Sequence, residues 1–478
     1  MSYTCRKEKT LEKKYYSFEK EVYAAGCRKL DNRTIHELWA GFCFSAGKLI
    51  LSEDRQVPFG FKTGEADYPA LQQGKEFTLE VTEKGVGLIA ESYEALARGM
   101  MVLLMRIEAV SLSEGQERFR IETCTLTGEY AVKNRMIHFC IFPETSAAFI
   151  RKFVRLAGIM QYTHIILEFW GMLKYDCLKE LAWENAFSKE QAKAILQEIE
   201  NMGMKAIPMF NHLGHASACR VSGGKHVVLD QNPRLATLFA PDGWSWNVSN
   251  PETRALLKAV RSELYQFFPD TEYIHLGCDE VYSYESGEEN QAGMRKYLHE
   301  LIEEVKAEGK TPIIWGDMLL NAEACGVESP YFCGCDTPEN ARKMIDSIPK
   351  DTVIADWHYD VCQAPVKTSV YLKQQGFPVL CTPWYDTENC RAHVQTVLDH
   401  ELMGILVTTW HTLSERMTQI ILAAVFCGAY HSPWAGLAKT EIKTETATLL
   451  RKAYFVKGNY PEAGWTDSQV FRQARPLV

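Results

Sequence analysis

The sequence predicts an α/β fold, a (β/α)8 TIM barrel preceded by a small α/β domain. From about Arg135 onward, short apolar runs alternate with longer amphipathic segments, which is the pattern of repeated βα units around a parallel sheet. Eight such runs occur, the number of strands that closes this barrel. The predicted strands are residues 136–142, 164–169, 205–210, 273–277, 312–315, 352–357, 379–382 and 404–410.

The segments between these runs have helical periodicity. In residues 189–202, Ala192, Ile195 and Ile199 recur at helical spacing behind Ser188, a favourable N-cap residue. Residues 252–268 and 291–308 have the same character, and each lies between two predicted strands. The alternation therefore predicts a barrel with an outer ring of helices.

Smaller elements precede the barrel. Residues 77–81 alternate apolar and polar side chains and residues 85–90 follow a turn-like Glu83-Lys84, which predicts a hairpin. Residues 95–107 are predicted to be helical and residues 119–126 to form another strand. We expect an N-terminal α/β accessory domain over residues 1–132, the barrel over 133–437, and a C-terminal helix and tail over 438–478, with the helix near 444–454.

The composition is that of an ordinary globular protein, with 478 residues of which 46% are hydrophobic and 24% charged. A net charge of −9 disfavours a nucleic-acid surface, which needs a basic stripe. No segment approaches the roughly 20 apolar residues of a membrane span, and no signal-type stretch follows the first methionine. The 15 cysteines include no C-x-x-C pair and often lie within apolar runs. These features predict a cytoplasmic protein that binds neither nucleic acid nor a membrane.

Two adjacent acids, Asp279 and Glu280, follow the fourth predicted strand. The carboxyl ends of barrel strands face the active site, and carboxylates rarely enter a core unpaired. Acids at this position therefore indicate acid/base chemistry. From the residues alone, a solvated Asp-Glu that begins a loop is the alternative.

The motif His275-x-Gly277-x-Asp279-Glu280 resembles the signature of glycoside hydrolase family 20, the β-N-acetylhexosaminidases. Residues 211–216 resemble the Pro-Gly-His-Ala segment of that family, residues 250–253 its Asn-Pro-Glu-Thr segment, and residues 313–317 its fifth strand with a Trp-Asp or Trp-Glu ending. The resemblance covers residues 75–430, and the family also has a small domain before its barrel. It implies a retaining exo-enzyme that releases terminal β-linked GlcNAc or GalNAc from an oligosaccharide or glycoconjugate.

The resemblance implies substrate-assisted catalysis, in which the substrate's own 2-acetamido carbonyl attacks the anomeric carbon and forms an oxazolinium intermediate. Glu280 is then the general acid/base that protonates the leaving oxygen. Asp279 accepts the acetamide N–H and stabilises the positive intermediate. Adjacent residues suit two tasks on one side of the sugar, whereas the two carboxyls of ordinary retaining enzymes stand about 5 to 5.5 Å apart.

The resemblance also implies substrate-binding residues. His215 matches the histidine that supports the acid/base, and Arg135 the arginine that binds the sugar's 3- and 4-hydroxyls. Tyr385 resembles the tyrosine that bonds the acetamide carbonyl and Asp386 a sugar-binding aspartate, although the family has one residue between these two and this chain has none. A structural role for His215 and a surface salt bridge for Arg135 are the alternatives.

Three tryptophans each end a predicted strand and would therefore lie at the catalytic rim: Trp315, Trp357 and Trp410. In the family, indoles at this rim enclose the acetamide and stack on the sugar. Ordinary barrel packing is the alternative for each.

The chain departs from the family at two places. Cys278 replaces the second glycine of the usual His-x-Gly-Gly-Asp-Glu, and the second strand ends with Glu168 where the family has a pair of aspartates. A non-catalytic carbohydrate-binding protein on the same barrel is therefore one alternative function. A metal-dependent barrel hydrolase that uses His212 and His215 is another, but no further ligand set is evident, so we expect neither a metal nor another cofactor.

Overall fold

The computed structural model describes residues 13–19, 21–26, 33–42, 48–52, 57–63, 75–111, 118–217, 229, 232–284, 287–384, 386–410 and 423–424. The chain divides into two compact units, the first formed mainly by residues up to Glu129 and the second mainly by residues from Tyr130 onward. The expected domain limits at residues 132 and 437 stay predictions. Residue 437 and the predicted helix near 444–454 lie outside the described residues.

The first unit has a six-stranded sheet of order β3-β2-β4-β6-β5-β9 and a three-stranded sheet of order β1-β8-β7. Its strands are β1 (Tyr15–Glu19), β2 (Glu21–Gly26), β3 (Lys48–Leu51), β4 (Phe59–Thr63), β5 (Phe77–Thr82), β6 (Gly85–Ala90), β7 (Glu108–Ser111), β8 (Arg118–Glu122) and β9 (Cys124–Thr127). Its described helices are α1 (Arg33–Phe42) and α2 (Tyr93–Leu104).

The predicted hairpin of this unit is confirmed, because β5 and β6 pair antiparallel with Thr82 opposite Gly85. The prediction of one strand over residues 119–126 is wrong, since the chain changes sheets at Thr123. β8 pairs with β1 in the smaller sheet, whereas β9 pairs with β5 in the larger sheet. A single alternating run can therefore contribute strands to two different sheets. The alternation alone does not show where the chain passes from one sheet to the other.

The second unit contains eight parallel strands in the order β12-β11-β10-β17-β16-β15-β14-β13. They are β10 (Asn134–Cys140), β11 (His164–Glu168), β12 (Lys205–Pro208), β13 (Tyr273–His275), β14 (Thr311–Trp315), β15 (Val353–Trp357), β16 (Val379–Thr382) and β17 (Gly404–Val407). A parallel bridge between Met209 and His275 joins the two ends of this order and closes the sheet. The predicted barrel and all eight of its strands are therefore confirmed.

Several predicted strands end too late in the sequence. β13 ends at His275 rather than at residue 277, and β17 ends at Val407 rather than at residue 410. Leu276 and Thr409 remain buried beyond these ends. The buried run therefore extends beyond the residues that pair as a regular strand, so it overestimates strand length.

The barrel interior is packed with side chains that alternate strands contribute in layers. The central cluster consists of Met136, Ile166, Ile207, Met209, Ile313, Trp315, Val353, Ala355, Leu380 and Leu406. The described helices of this unit are α3 (Ala147–Ile159), α4 (Lys189–Asn201), α5 (Pro251–Phe267), α6 (Glu288–Ala307), α7 (Ala322–Cys325), α8 (Pro338–Ser347), α9 (Lys367–Gln374) and α10 (Thr387–His400).

Side-chain caps explain where several of these helices begin. Ser146 Oγ accepts the Phe149 amide at 3.1 Å before α3, and Asn250 Oδ1 accepts the Glu252 amide at 2.9 Å before α5. Pro251 then occupies the first turn of α5, where its missing N–H has no helical partner to lose. No helix among the described residues has the length and apolar character needed to cross a lipid bilayer.

Arg135 lies at the amino end of β10, opposite to the carboxyl ends that would form an active site. Its buried guanidinium donates hydrogen bonds of 2.7 to 3.0 Å to the carbonyl oxygens of Val132, Lys133 and Gln161. Its Cζ also lies 3.9 Å from the centroid of the Tyr130 ring. The expectation that Arg135 binds the sugar is therefore wrong, because the strand direction places it at the other end of the barrel and its donors hold the backbone there.

We expect Arg135→Ala to lower the free energy of unfolding by roughly 3 kcal/mol, because the truncation leaves buried carbonyl oxygens without donors. Urea denaturation measures this loss. Arg342→Ala, which removes an exposed pair with Asp346, is the control and should change stability by less than about 0.5 kcal/mol. An Arg135→Ala protein as stable as the control variant would contradict the structural role.

Candidate active site

The loop after β13 carries the two adjacent acids. Its backbone is left-handed at Gly277 (φ 71°), Cys278 (φ 72°) and Glu280 (φ 46°). A side chain at Gly277 would place its Cβ 2.2 Å from Asn211 Oδ1, so only glycine fits there. Cys278 and Glu280 have no such freedom, and a left-handed backbone at such residues costs on the order of 1 kcal/mol each and persists only where surrounding contacts hold it.

Two side chains hold the backbone of Glu280. Its N–H donates to Asp317 Oδ2 at 2.8 Å, and its carbonyl oxygen accepts a hydrogen bond from Trp244 Nε1 at 2.7 Å. Trp244 is itself placed by Asp242, whose Oδ1 accepts the Trp244 N–H at 2.9 Å. Contacts from outside the loop therefore set the direction in which Glu280 points.

His215 brings the two acids together. Its Nε2 lies 3.2 Å from Asp279 Oδ2 and 3.0 Å from Glu280 Oε2, and its ring packs 4.4 Å from the ring of Trp244. Asp279 is buried, whereas the Glu280 side chain is 27% exposed. Three of the predicted site residues thus share one cluster, in which Glu280 is the carboxyl that reaches solvent.

Asp317 is a buried carboxyl that was not among the predicted site residues. Its Oδ2 accepts the Glu280 amide, and its Oδ1 accepts Trp357 Nε1 at 3.3 Å. Burial, and then the charge of the neighbouring Asp279, raise the pKa of Asp317 well above its ordinary value, although both hydrogen bonds act in the opposite direction. An acid directly beyond the carboxyl end of β14 was the signal in the sequence that marks it.

The three predicted rim tryptophans occupy two environments. Trp357 and Trp410 are partly exposed, whereas Trp315 is buried, with its ring 4.4 Å from His275 and 5.7 Å from Trp410. Trp315 therefore packs in the barrel interior below the rim. The other two remain at the rim, where their indoles can face a ligand.

The Tyr359 side chain contacts both rim tryptophans, and Tyr359 was not among the predicted site residues. Its hydroxyl accepts Trp410 Nε1 at 2.8 Å, and its ring stacks on Trp357 at 5.3 Å. Burial raises the pKa of this phenol, so the hydroxyl keeps its proton and can itself donate. It follows β15 closely, as a rim residue should, but a lone tyrosine in a loop carries no distinctive sequence signal.

Of the two residues predicted after the seventh strand, Tyr385 lies outside the described residues. Asp386 is the N-cap of α10, and its Oδ1 accepts the amides of Glu388 at 2.7 Å and Asn389 at 3.2 Å. A helix-capping role therefore accounts for this oxygen. The predicted sugar contact of Asp386 stays a prediction.

Glu168 lies in a buried network at the carboxyl ends of the first strands. Its Oε2 lies 3.0 Å from His138 Nε2, and its Oε1 accepts Asn211 Nδ2 at 2.7 Å. Thr409 Oγ1 donates to the His138 carbonyl oxygen at 2.8 Å. The network links residues of β10 and β11 with the residues that follow β12 and β17, and it stiffens the floor of the barrel mouth.

Two groups of potential metal ligands occur among the described residues. Each brings its ligand atoms within 4.8 Å of one another, and the groups are His138, Cys140 and Glu168, and His215, Asp279 and Glu280. Their donor types suit zinc, but a hydrogen bond between imidazole and carboxylate accounts for the closest approach in both. His212 is in neither group: its Nδ1 lies 2.6 Å from the Phe210 carbonyl oxygen, and burial lowers its pKa to about 3.

A protein-family comparison matches residues 163–418, more than half of the chain, to the catalytic domain of glycosyl hydrolase family 20. Lacto-N-biosidase of Bifidobacterium bifidum is 22% identical over 264 residues, which cover 52% of this chain and 23% of that protein. Hexosaminidase D of Bos taurus is 25% identical over 169 residues, which cover 32% of this chain and 46% of that protein. The chain thus spans less than half the length of either curated relative.

Solved structures share the fold. The exo-β-N-acetylglucosaminidase of Vibrio harveyi, in complex with N-acetylglucosamine, superposes with a TM-score of 0.66 at 15% identity over 94% of this chain and 76% of that chain. A mutant β-hexosaminidase of Streptomyces plicatus, in complex with GlcNAc, gives a TM-score of 0.61 at 13% identity over 95% of each chain.

We expect Asp317→Asn to change how stability depends on pH. Because the pKa of Asp317 is raised in the folded protein, the unfolded chain releases this proton at a lower pH than the folded protein does. The free energy of unfolding of the wild type should therefore fall, relative to that of the variant, as pH rises above the ordinary aspartate value of 3.8. The slope is at most about 1.4 kcal/mol per pH unit.

Urea denaturation between about pH 4 and pH 7 measures this difference. Asp399→Asn, at an exposed position on α10, is the matched control and should follow the wild type. Parallel curves for all three proteins would show that Asp317 titrates alike in the folded and unfolded states.

Proposed function

The chain belongs to glycosyl hydrolase family 20, and on that basis we propose that it is a retaining exo-β-N-acetylhexosaminidase. Its proposed substrates are oligosaccharides or glycoconjugates that end in β-linked GlcNAc or GalNAc. One observation carries this proposal: Asp279 and Glu280, adjacent in the sequence, lie 3.2 and 3.0 Å from the same Nε2 atom of His215. Two carboxyls so arranged serve one side of a sugar rather than opposite sides.

Glu280 is the proposed general acid/base. It donates its proton to the glycosidic oxygen as the bond from that oxygen to the anomeric carbon breaks. The resulting carboxylate then takes a proton from the water that attacks the anomeric carbon and so returns to its acid form. Its partial exposure at the cluster supports this role, because both the leaving group and water must reach it.

The substrate's acetamido carbonyl oxygen is the proposed nucleophile. It attacks the anomeric carbon and closes an oxazolinium ring, which water opens from the opposite face, so two inversions give net retention. Asp279 accepts the acetamide N–H and stabilises the positive ring. The burial of Asp279 supports this role, because a charge interaction is stronger where water is excluded.

The rim aromatics are the proposed walls of the sugar site. Trp357 and Trp410 would stack on the sugar and enclose its acetamide, and the Tyr359 hydroxyl between them can donate to it. Tyr385 is the proposed donor to the acetamide carbonyl. Asp386 stays a proposed sugar contact through Oδ2, since Oδ1 caps α10.

We also propose that the enzyme acts in the cytoplasm. None of the ten cysteines that the structure describes forms a disulfide bond, and five of them are buried. Unbridged cysteines in this number are typical of a reducing compartment.

Glu280→Gln is expected to slow hydrolysis of substrates with poor leaving groups about 10²- to 10⁴-fold, because these leaving groups need a proton. Activated aryl glycosides should lose much less, since their phenolate leaves without one. Steady-state kcat/KM on both substrate classes measures the contrast. Glu289→Gln, at an exposed position on α6, is the matched control, and equal losses on both classes would reject Glu280 as the acid.

The acetamido group should be indispensable, because the proposed mechanism uses it as the nucleophile. A β-glucoside, which has a 2-hydroxyl in its place, should be essentially inert, whereas a thiazoline mimic of the oxazolinium should bind far more tightly than GlcNAc. Asp279→Asn should weaken the thiazoline and lower kcat together, because one contact serves both. Competitive inhibition and turnover assays measure these effects, and β-glucosides cleaved as readily as β-GlcNAc would require another nucleophile.

A further inference from the structure

Tyr282 is an exposed aromatic residue two positions beyond the acid/base. Its exposure is 43%, and among the described residues the other exposed large hydrophobic side chains are Tyr23, Val110 and Leu398. Tyr23 and Val110 belong to the first unit, on β2 and β7, and Leu398 lies on α10. An exposed aromatic ring beside a reacting group is suited to cover an apolar face of a ligand.

The ring of Tyr282 is the outermost member of a row of rings that begins at the acid/base. The imidazole of His215 contacts the Glu280 carboxyl at 3.0 Å, the indole of Trp244 packs 4.4 Å from that imidazole, and the Tyr282 ring lies 5.4 Å from the indole. The row therefore runs from the proposed proton donor to solvent.

The direction of this row matters because the acid must touch the glycosidic oxygen. In the proposed mechanism the sugar that is cleaved off contacts Asp279, whereas the group that departs with the protonated oxygen contacts Glu280. Among the described residues, Tyr282 has an exposed ring, and its amide donates to the Glu280 carbonyl oxygen at 3.1 Å. A pyranose ring presents C–H bonds on its face, and such a face packs well on an aromatic ring.

We infer that Tyr282, backed by Trp244, is the binding platform for the leaving-group sugar. This inference rests on the proposed function and adds the class of leaving group to it: a pyranose attached directly to the terminal N-acetylhexosamine. Tyr282 is then a residue that favours glycan substrates over N-acetylhexosaminides with small alkyl aglycones.

The platform is tied to the acid by hydrogen bonds. Trp244 donates to the Glu280 carbonyl oxygen at 2.7 Å, and the Tyr282 amide donates to the same oxygen at 3.1 Å. The Ser283 hydroxyl donates to the carboxylate of Asp242, which also holds the Trp244 amide. The ring and the acid are therefore positioned together before a substrate arrives, which reduces the entropy lost on binding.

The test compares two substrates that both need a proton donor but differ in the leaving group. One is a disaccharide with terminal β-linked GlcNAc, and the other is methyl β-N-acetylglucosaminide, which carries no second ring. In Tyr282→Ala, the ratio of kcat/KM for the disaccharide to kcat/KM for the methyl glycoside should fall roughly 2- to 10-fold, the scale of one aromatic contact. Tyr282→Phe keeps the ring and should restore the ratio, and Leu398→Ala, an exposed residue on α10, is the control.

An equal loss on both substrates in Tyr282→Ala would mean that the ring only supports Glu280, and wild-type kcat/KM on both substrates would mean that it contacts no leaving group. Either result would overturn the inference about Tyr282. The proposed function would stand, because the wild-type protein would still be an active hexosaminidase. Wild-type protein that cleaves neither substrate would instead overturn the proposed function, and the platform with it.

Discussion

The hydrogen bond from the Glu280 amide to Asp317 determines where the acid of this site points. A glutamate at φ 46° does not hold that conformation by itself, and its loop has left the hydrogen-bonded ladder of β13 before the acids are reached. The bond reaches across to the end of the neighbouring strand, β14, which the barrel holds rigidly. The orientation of Glu280 thus depends on the closed sheet to which β14 belongs. The Trp244 indole restrains the same residue by donating to the Glu280 carbonyl oxygen.

The same contacts bring several ionisable side chains together. Asp279, Glu280 and Asp317 lie close together, and His215 is the imidazole that both adjacent acids contact. Burial and the charge of Asp279 raise the pKa of Asp317, so this carboxyl keeps its proton to a higher pH than an exposed aspartate does. The two adjacent acids share their partly buried pocket with the imidazole of His215.

The fold was predictable because barrel strands are buried on both faces and read as apolar runs between amphipathic helices. The adjacent acids were predictable because they follow such a run at its carboxyl end, and His215 because residues 211–216 resemble a segment of the family. Arg135 was placed wrongly because strand direction matters as much as proximity in sequence: a residue at the head of β10 lies at the far end of the barrel. Asp317 had a signal in its position beyond β14, whereas Trp244 and Tyr359 act through contacts between distant loops, which no periodicity records.

Trp357 donates to the same carboxyl that accepts the Glu280 amide, so the proposed wall of the sugar site and the backbone of Glu280 are both held by Asp317. A ligand that displaced this indole would disturb one of the two hydrogen bonds that Asp317 accepts from Trp357 and Glu280. Sugar binding at Trp357 and the placement of Glu280 would then be coupled through a single side chain. Enlarging the pocket at Trp357 to admit bulkier sugars would accordingly disturb the acid as well, which constrains how far the specificity of this barrel can be redesigned without loss of rate.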